Sequence, residues 1–200
     1  MFEKNEAQIY GKDKGSYARS LGFVNIQTGS EMIGGKNLAR TEVVKQTHLV
    51  LEDVRSGSEL PSLFIAAFDK YGQIVSNIQL GTVYTTAKEK VKQGEEPSTF
   101  EPLLSNRNTN EWTNGVIQVT NLKLKGEPGK TYEIVFTSPK IDPALPDAQN
   151  YLSSVGQSEV MLTVEVQFRK CLPGEAFQSD GECVICPEGK YLLEAPVSPQ

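Results

Sequence analysis

From residue 114 to 138 the chain alternates apolar and polar positions with a period near two. Ile117, Val119, Leu122 and Leu124 are spaced for a half-buried strand, with one break of period at Asn121 that predicts a bulge. Gly126-Glu127-Pro128-Gly129 has turn chemistry, since proline presets φ and glycine accepts a positive φ. Tyr132, Ile134 and Phe136 then alternate with Glu133, Val135 and Thr137, so the stretch predicts a hairpin. A strand with one apolar face needs a second apolar surface to bury it. Residues 61–69 supply an apolar run ending in the turn-like Asp69-Lys70-Tyr71-Gly72. Val160, Leu162, Val164, Val166 and Phe168 supply another clean alternation. Leu49, Leu51 and Val54 predict a first strand, which Ser56-Gly57-Ser58 breaks. Shorter strands are expected over residues 73–79, 82–86 and 100–104, and a helical turn over 87–93. A loop should run to about Gly156 after the proline-rich 142–146. Strands separated by turn signals, with no helical pattern alternating between them, predict an all-β sandwich over residues 42–170.

Two flanking segments read differently. Residues 1–41 carry six glycines among short apolar pairs and predict short strands and turns. Residues 5–11 look like a single coil of a repeat, which cannot bury its own face alone. Beyond Lys170 apolar residues become scarce and cysteines begin. Residues 171–200 therefore form a small module in which disulfides replace a core.

Composition removes several function classes. At 200 residues the chain suffices for one core plus an appendage. The formal net charge of −5 comes without a basic stripe, so nucleic acid is not an expected partner. No apolar run approaches the roughly 20 residues of a membrane helix. The first residues lack the apolar core of a signal peptide.

The three cysteines, Cys171, Cys183 and Cys186, all fall in the last thirty residues. A structural zinc site wants four ligands, and the single histidine, His48, lies far away in a predicted strand. A thioredoxin-type pair wants a helix after the second cysteine, where Pro187 and Gly189 stand instead. A Cys171–Cys183 disulfide would close a short loop and contribute on the order of 3 kcal/mol. Cys186 would then be unpaired within the chain, or pair outside it. No cofactor or metal is expected. Glu52, Asp53 and Asp69 lie at strand ends where sandwich domains hold calcium, but they lack the converging acids of such a site. His48 has no nucleophile elbow to serve, so no catalytic residue and no enzymatic activity are expected. Trp112 amid asparagines is a candidate sugar-stacking contact, or it closes one end of the sandwich.

Resemblance sharpens these expectations. Cys171-Leu-Pro-Gly-Glu, followed by Gly181-Glu-Cys183-Val-Ile-Cys186-Pro-Glu-Gly-Lys-Tyr191, resembles the opening of cysteine-rich repeats related to ephrin-receptor and tumour-necrosis-factor-receptor modules. Residues 56–75, with Asp69-Lys-Tyr71-Gly72, look like early strands of filamin-like or bacterial immunoglobulin-like domains, and residues 114–129 resemble their later strands. Residues 5–11 resemble the last coil of a parallel β-helix. The order resembles large surface proteins of ciliate-type protists. That likeness implies an immunoglobulin-like antiparallel sandwich inside a fragment of a cell-surface ectodomain. It also implies an extracellular location and a structural or adhesive role. Partners would be other surface proteins or glycans, and the membrane would be reached only through an anchor in a parent chain. A carbohydrate-binding accessory module, with Trp112 as contact, is the rival expectation. An intracellular protein whose cysteines bind zinc with a partner chain is a weaker third.

Overall fold

The computed structural model describes residues 17–24, 48–76, 82–105, 108–109 and 112–190. The coil-like residues 5–11 lie outside them. The strands are β1 (Ser20–Phe23), β2 (His48–Val54), β3 (Leu63–Phe68), β4 (Tyr84–Glu89), β5 (Leu103–Ser105) and β6 (Asn108–Thr109). They continue with β7 (Val116–Thr120), β8 (Lys123–Lys125), β9 (Thr131–Thr137), β10 (Met161–Phe168), β11 (Glu175–Phe177) and β12 (Cys183–Ile185). One helix, α1 (Pro146–Val155), joins β9 to β10. Two four-stranded sheets, ordered β1-β3-β7-β6 and β2-β10-β9-β4, face each other, and the fold is all-β.

The alternation read from the sequence is what packs them. Leu63, Ile65 and Ala67 of β3 and Ile117 and Val119 of β7 enter one core with Tyr132, Ile134 and Phe136 of β9. Leu162, Val164 and Val166 of β10 belong to the same core, and none of those three is accessible to solvent. Phe23 meets Phe136 edge to face across the sheets, their centroids 6.5 Å apart, in the offset geometry that the ring quadrupoles favour.

Several expectations change. The stretch around Gly126–Gly129 is not a hairpin. β8 pairs with β5, whereas β9 pairs with β10 and β4. The break at Asn121 is not a bulge within one strand either. Asn121 has φ +56° and redirects the chain out of β7's sheet into β8. The sandwich is not purely antiparallel, because β2 runs parallel to β10, from Thr163 opposite His48 to Phe168 opposite Val54. A left-handed Asp53 shifts the register, so that Leu49, Leu51 and Val54 all reach the core despite uneven spacing. Ahead of residue 42, β1 also pairs antiparallel with β3, and all four of its residues are buried. Residues 87–89 extend strand β4 rather than forming a helical turn.

Helix α1 replaces part of an expected loop. Pro146 stands in its first turn, where the missing N–H costs nothing, and Gly156 ends it in the left-handed region. Its buried residues, Ala148 and Leu152, make a narrow apolar stripe.

Strand directions place the ends of the sandwich. β1, β2 and β10 all begin at the end that carries α1, and β10 finishes at the other end. The cysteine module continues the chain from there.

Candidate functional site: the junction of sandwich and disulfide module

The residues that β10 leads into, together with three turns of the sandwich, make a densely bonded site outside the main core. Cys171 and Cys183 are joined in a disulfide, with Cα atoms 5.5 Å apart. Around the bond, Cys171, Phe177 and Cys183 form a small buried cluster, on which Phe100 packs from the sandwich, 5.4 Å from Phe177 between centroids. β11 and β12 pair antiparallel across this cluster, from Glu175 opposite Ile185 to Phe177 opposite Cys183. Cys186 is a free thiol of intermediate exposure, and its N–H donates to the Gly174 carbonyl at 2.9 Å.

Ser56 is the hub. It is fully buried, in the turn after β2. Its hydroxyl donates to the Gly181 carbonyl of the module and accepts the Gly126 N–H at 3.0 Å, with the Gly126 carbonyl also 2.9 Å away. The Ser56 carbonyl accepts the Cys183 N–H at 3.3 Å. Three chain segments therefore meet on one small side chain. The approach is close enough to demand glycine, for a Cβ at Gly181 would lie 3.2 Å from the Gly126 nitrogen while φ is +86°.

Tyr132 braces the same corner. It is fully buried, and its hydroxyl accepts the Glu127 N–H at 2.7 Å. Its ring fills the space over Gly126, where an added Cβ would come within 2.5 Å of the tyrosine Cζ. Burial raises the phenol pKa, against the lowering effect of its hydrogen bonds with Ser98 and Glu127.

Charge is complementary across the junction. The module contributes Glu175, Asp180 and Glu182, and the sandwich side contributes Arg55, Lys125 and Arg169. Arg169 grips Glu175 with two guanidinium nitrogens, each at 2.8 Å. The Leu172 N–H donates to Glu175 as well. This Arg169 fork, ahead of any other cause, holds the Glu175 carboxyl below its ordinary pKa. Lys125 reaches Asp180 at 2.7 Å and Glu182 at 2.6 Å, and both raise its pKa.

Cys171, Glu175 and Cys183 also lie within metal-ligand range of one another. In the disulfide the two sulfurs are not thiolates, and the Glu175 oxygens are taken by Arg169. That donor set does not suit zinc.

The other candidates sit elsewhere. Trp112 is half-buried and packs against the main core. Of its asparagine neighbours, residues 106 and 110 lie outside the described residues. His48 is an exposed residue opening β2, 3.8 Å from Glu165. Glu165 stands directly opposite Glu133, a repulsive pairing that Lys90 relieves by reaching Glu165 at 2.6 Å and Glu133 at 3.5 Å. Asp69 is a turn former, since its Oδ1 accepts the N–H groups of Tyr71 and Gln73 at 2.9 Å each. Glu52 and Asp53 are exposed.

The sequence reading missed Ser56, which stood there only as a strand breaker. The visible signal was glycine at 57, 126 and 181, each a place where another part of the chain comes close: the Glu182 side chain, the Tyr132 ring and the Gly126 backbone respectively. Among the described residues no helix is long and apolar enough to cross a membrane. Comparison with known proteins found nothing similar: no family model, no curated protein and no solved structure matches the chain.

Proposed function

We propose that this chain is a non-enzymatic structural or adhesive segment of a cell-surface ectodomain, in which an immunoglobulin-like sandwich acts as a stiff spacer. Taking β1, β3, β7 and β6 as strands A, B, E and D, and β4, β9 and β10 as C, F and G, reproduces the strand order of that fold. Tyr132 near the start of strand F, bonded back to the Glu127 N–H, has the form of the tyrosine corner of such domains. Two residues further on, where antibody domains place a cysteine, stands the buried Ile134.

The observation that carries the spacer reading is the placement of the ends. The described chain enters at the α1 end through residues 17–19 and leaves at the opposite end into the module. The module is locked down by Ser56, Arg169 and Lys125. Such a unit sets the distance and direction between the segments attached at its two ends. The disulfide supports an oxidising, extracellular location. Attachment to a membrane would come through a parent chain. Surface proteins or glycans are the partners this role implies. A sugar-binding role for Trp112 draws less support, because Trp112 packs on the core.

The test is a measurement of residual dipolar couplings on the oxidised chain. The spacer reading expects amides of β9, β10, β11 and β12 to fit one alignment tensor. Separate tensors for sandwich and module would retire it.

A further inference from the structure

We propose that the module holds a second staple in reserve. Once the Cys171–Cys183 disulfide is reduced, Cys171, Cys183 and Glu175 become three ligands of a zinc ion, and Cys186 closes the site as the fourth.

Three donors are already gathered. The sulfurs of Cys171 and Cys183 and a carboxylate oxygen of Glu175 all lie within 4.8 Å of one another, and all three residues are buried. Tetrahedral zinc, with bonds of about 2.0–2.3 Å, sets its ligand atoms about 3.5–3.8 Å apart. Side-chain rotation closes a difference of that size while β11 and β12 stay paired. A count of cysteines and histidines leaves the set one ligand short, and Glu175 supplies it.

Glu175 has a lone pair to give. A carboxylate offers about four acceptor positions. Arg169 takes one on each oxygen, and the Leu172 N–H takes a second on Oε2. Arg55 stands 4.0 Å from Oε1, beyond hydrogen-bond reach. Among the described residues, one position on Oε1 is therefore without a hydrogen bond, in a residue only 7% exposed. The Arg169 fork fixes the orientation of the carboxylate, as hydrogen-bonded partners do for carboxylates that ligate metals.

Cys186 lies outside this group of three. Two residues separate it from Cys183, a usual spacing for paired zinc ligands. It follows the last residue of β12, so the strand's alternation does not fix its side chain. Its N–H on the Gly174 carbonyl sets it one rung beyond the Glu175–Ile185 pair. Charge suits the set, because zinc with Arg169 and Arg55 offsets three thiolates and one carboxylate.

In the oxidised chain the sulfur–sulfur bond is what bars zinc. A small-molecule thiol removes it by exchange. Two such thiols give up two electrons and become one disulfide, and Cys171 and Cys183 each gain a hydrogen. Zinc then displaces the three thiol protons to solvent. The junction would keep its staple under oxidising and reducing conditions alike, whether or not the unit acts as a spacer.

Native mass spectrometry and amide exchange on the full chain test this, with zinc ions as the only added ligand. The oxidised chain should take up no zinc. The chain reduced with a thiol, then desalted without air, should bind one zinc per molecule. Zinc should also slow exchange of the Cys186 amide at least tenfold relative to the reduced, metal-free chain. No uptake after reduction would overturn the site. Uptake without that protection would overturn it too, as chelation by loose thiols of an unfolded module. Glu175→Gln should weaken zinc binding at least tenfold, whereas Glu175→His, which loses the Arg169 fork equally but offers a ligand nitrogen, should restore most of it. Equal weakening in both would overturn Glu175 as a ligand. Cys186→Ser should cost at least tenfold in affinity, and an unchanged affinity would overturn Cys186 as the fourth ligand.

Discussion

Replacing Ser56 with alanine removes one oxygen atom from a site where three chain segments meet. The methyl group fits the space, so the cost falls on the hydrogen bonds. Ser56 is fully buried, and its hydroxyl is the acceptor for the Gly126 N–H at 3.0 Å and the donor to the Gly181 carbonyl. Without it the Gly126 N–H is left buried and unpaired, which costs about 1–3 kcal/mol, and the bond to Gly181 is worth about 1 kcal/mol more. Ser56→Ala should therefore destabilise the junction by about 2–4 kcal/mol. If the chain unfolds in one step, that lowers the midpoint by about 4–16 °C at this size. If the module opens by itself, the loss appears as faster amide exchange at Cys183, whose N–H is held by the Ser56 carbonyl, while Val164 in the core stays protected. Thermal denaturation followed by circular dichroism, with amide exchange by NMR, separates these outcomes. A loss below about 0.5 kcal/mol by both measures would refute the assignment of Ser56 as the hub.

Three further outcomes are expected. Tyr132→Phe leaves the ring in place but strips the acceptor from the Glu127 N–H, so urea denaturation should show a loss of about 1–2 kcal/mol with an unchanged slope. The Glu175 carboxyl is held below its ordinary value of 4.5 by Arg169, so its contribution is complete above that pH. It is lost as pH falls through the lower folded value; an acid titration of stability should show this limb, and Arg169→Gln should flatten it. Alkylation of the oxidised chain without reduction should modify one cysteine, Cys186, by intact mass, whereas three modified cysteines would contradict the disulfide.

The core was legible because period two is a local property. The alternations at residues 132–136 and 160–168 could be read without knowing their partners, and those strands form as expected. Pairing was not legible in the same way. Nothing near Gly126 says that β8 and β9 join different sheets; that division comes from Tyr132 filling the space above the glycine and drawing Glu127 to its hydroxyl. The parallel partnership of β2 with β10 depends on residues over a hundred positions apart. Helix α1 was hidden because two buried side chains make too narrow a stripe for a helical period, although Pro146 and Gly156 marked its ends. At the junction the cysteines announced themselves by type. Ser56 did not, since a serine in a turn looks alike whether it faces water or three backbone segments.

The disulfide also changes what a protease can do. Residues 178–180 form an exposed loop tip, the kind of segment proteases cut first. A single cut there severs the backbone between Cys171 and Cys183 but releases nothing, because the buried sulfur–sulfur bond still ties the two pieces together. The nicked chain would migrate as one molecule until reduced. Damage at that tip therefore leaves whatever lies on either side of the junction covalently connected.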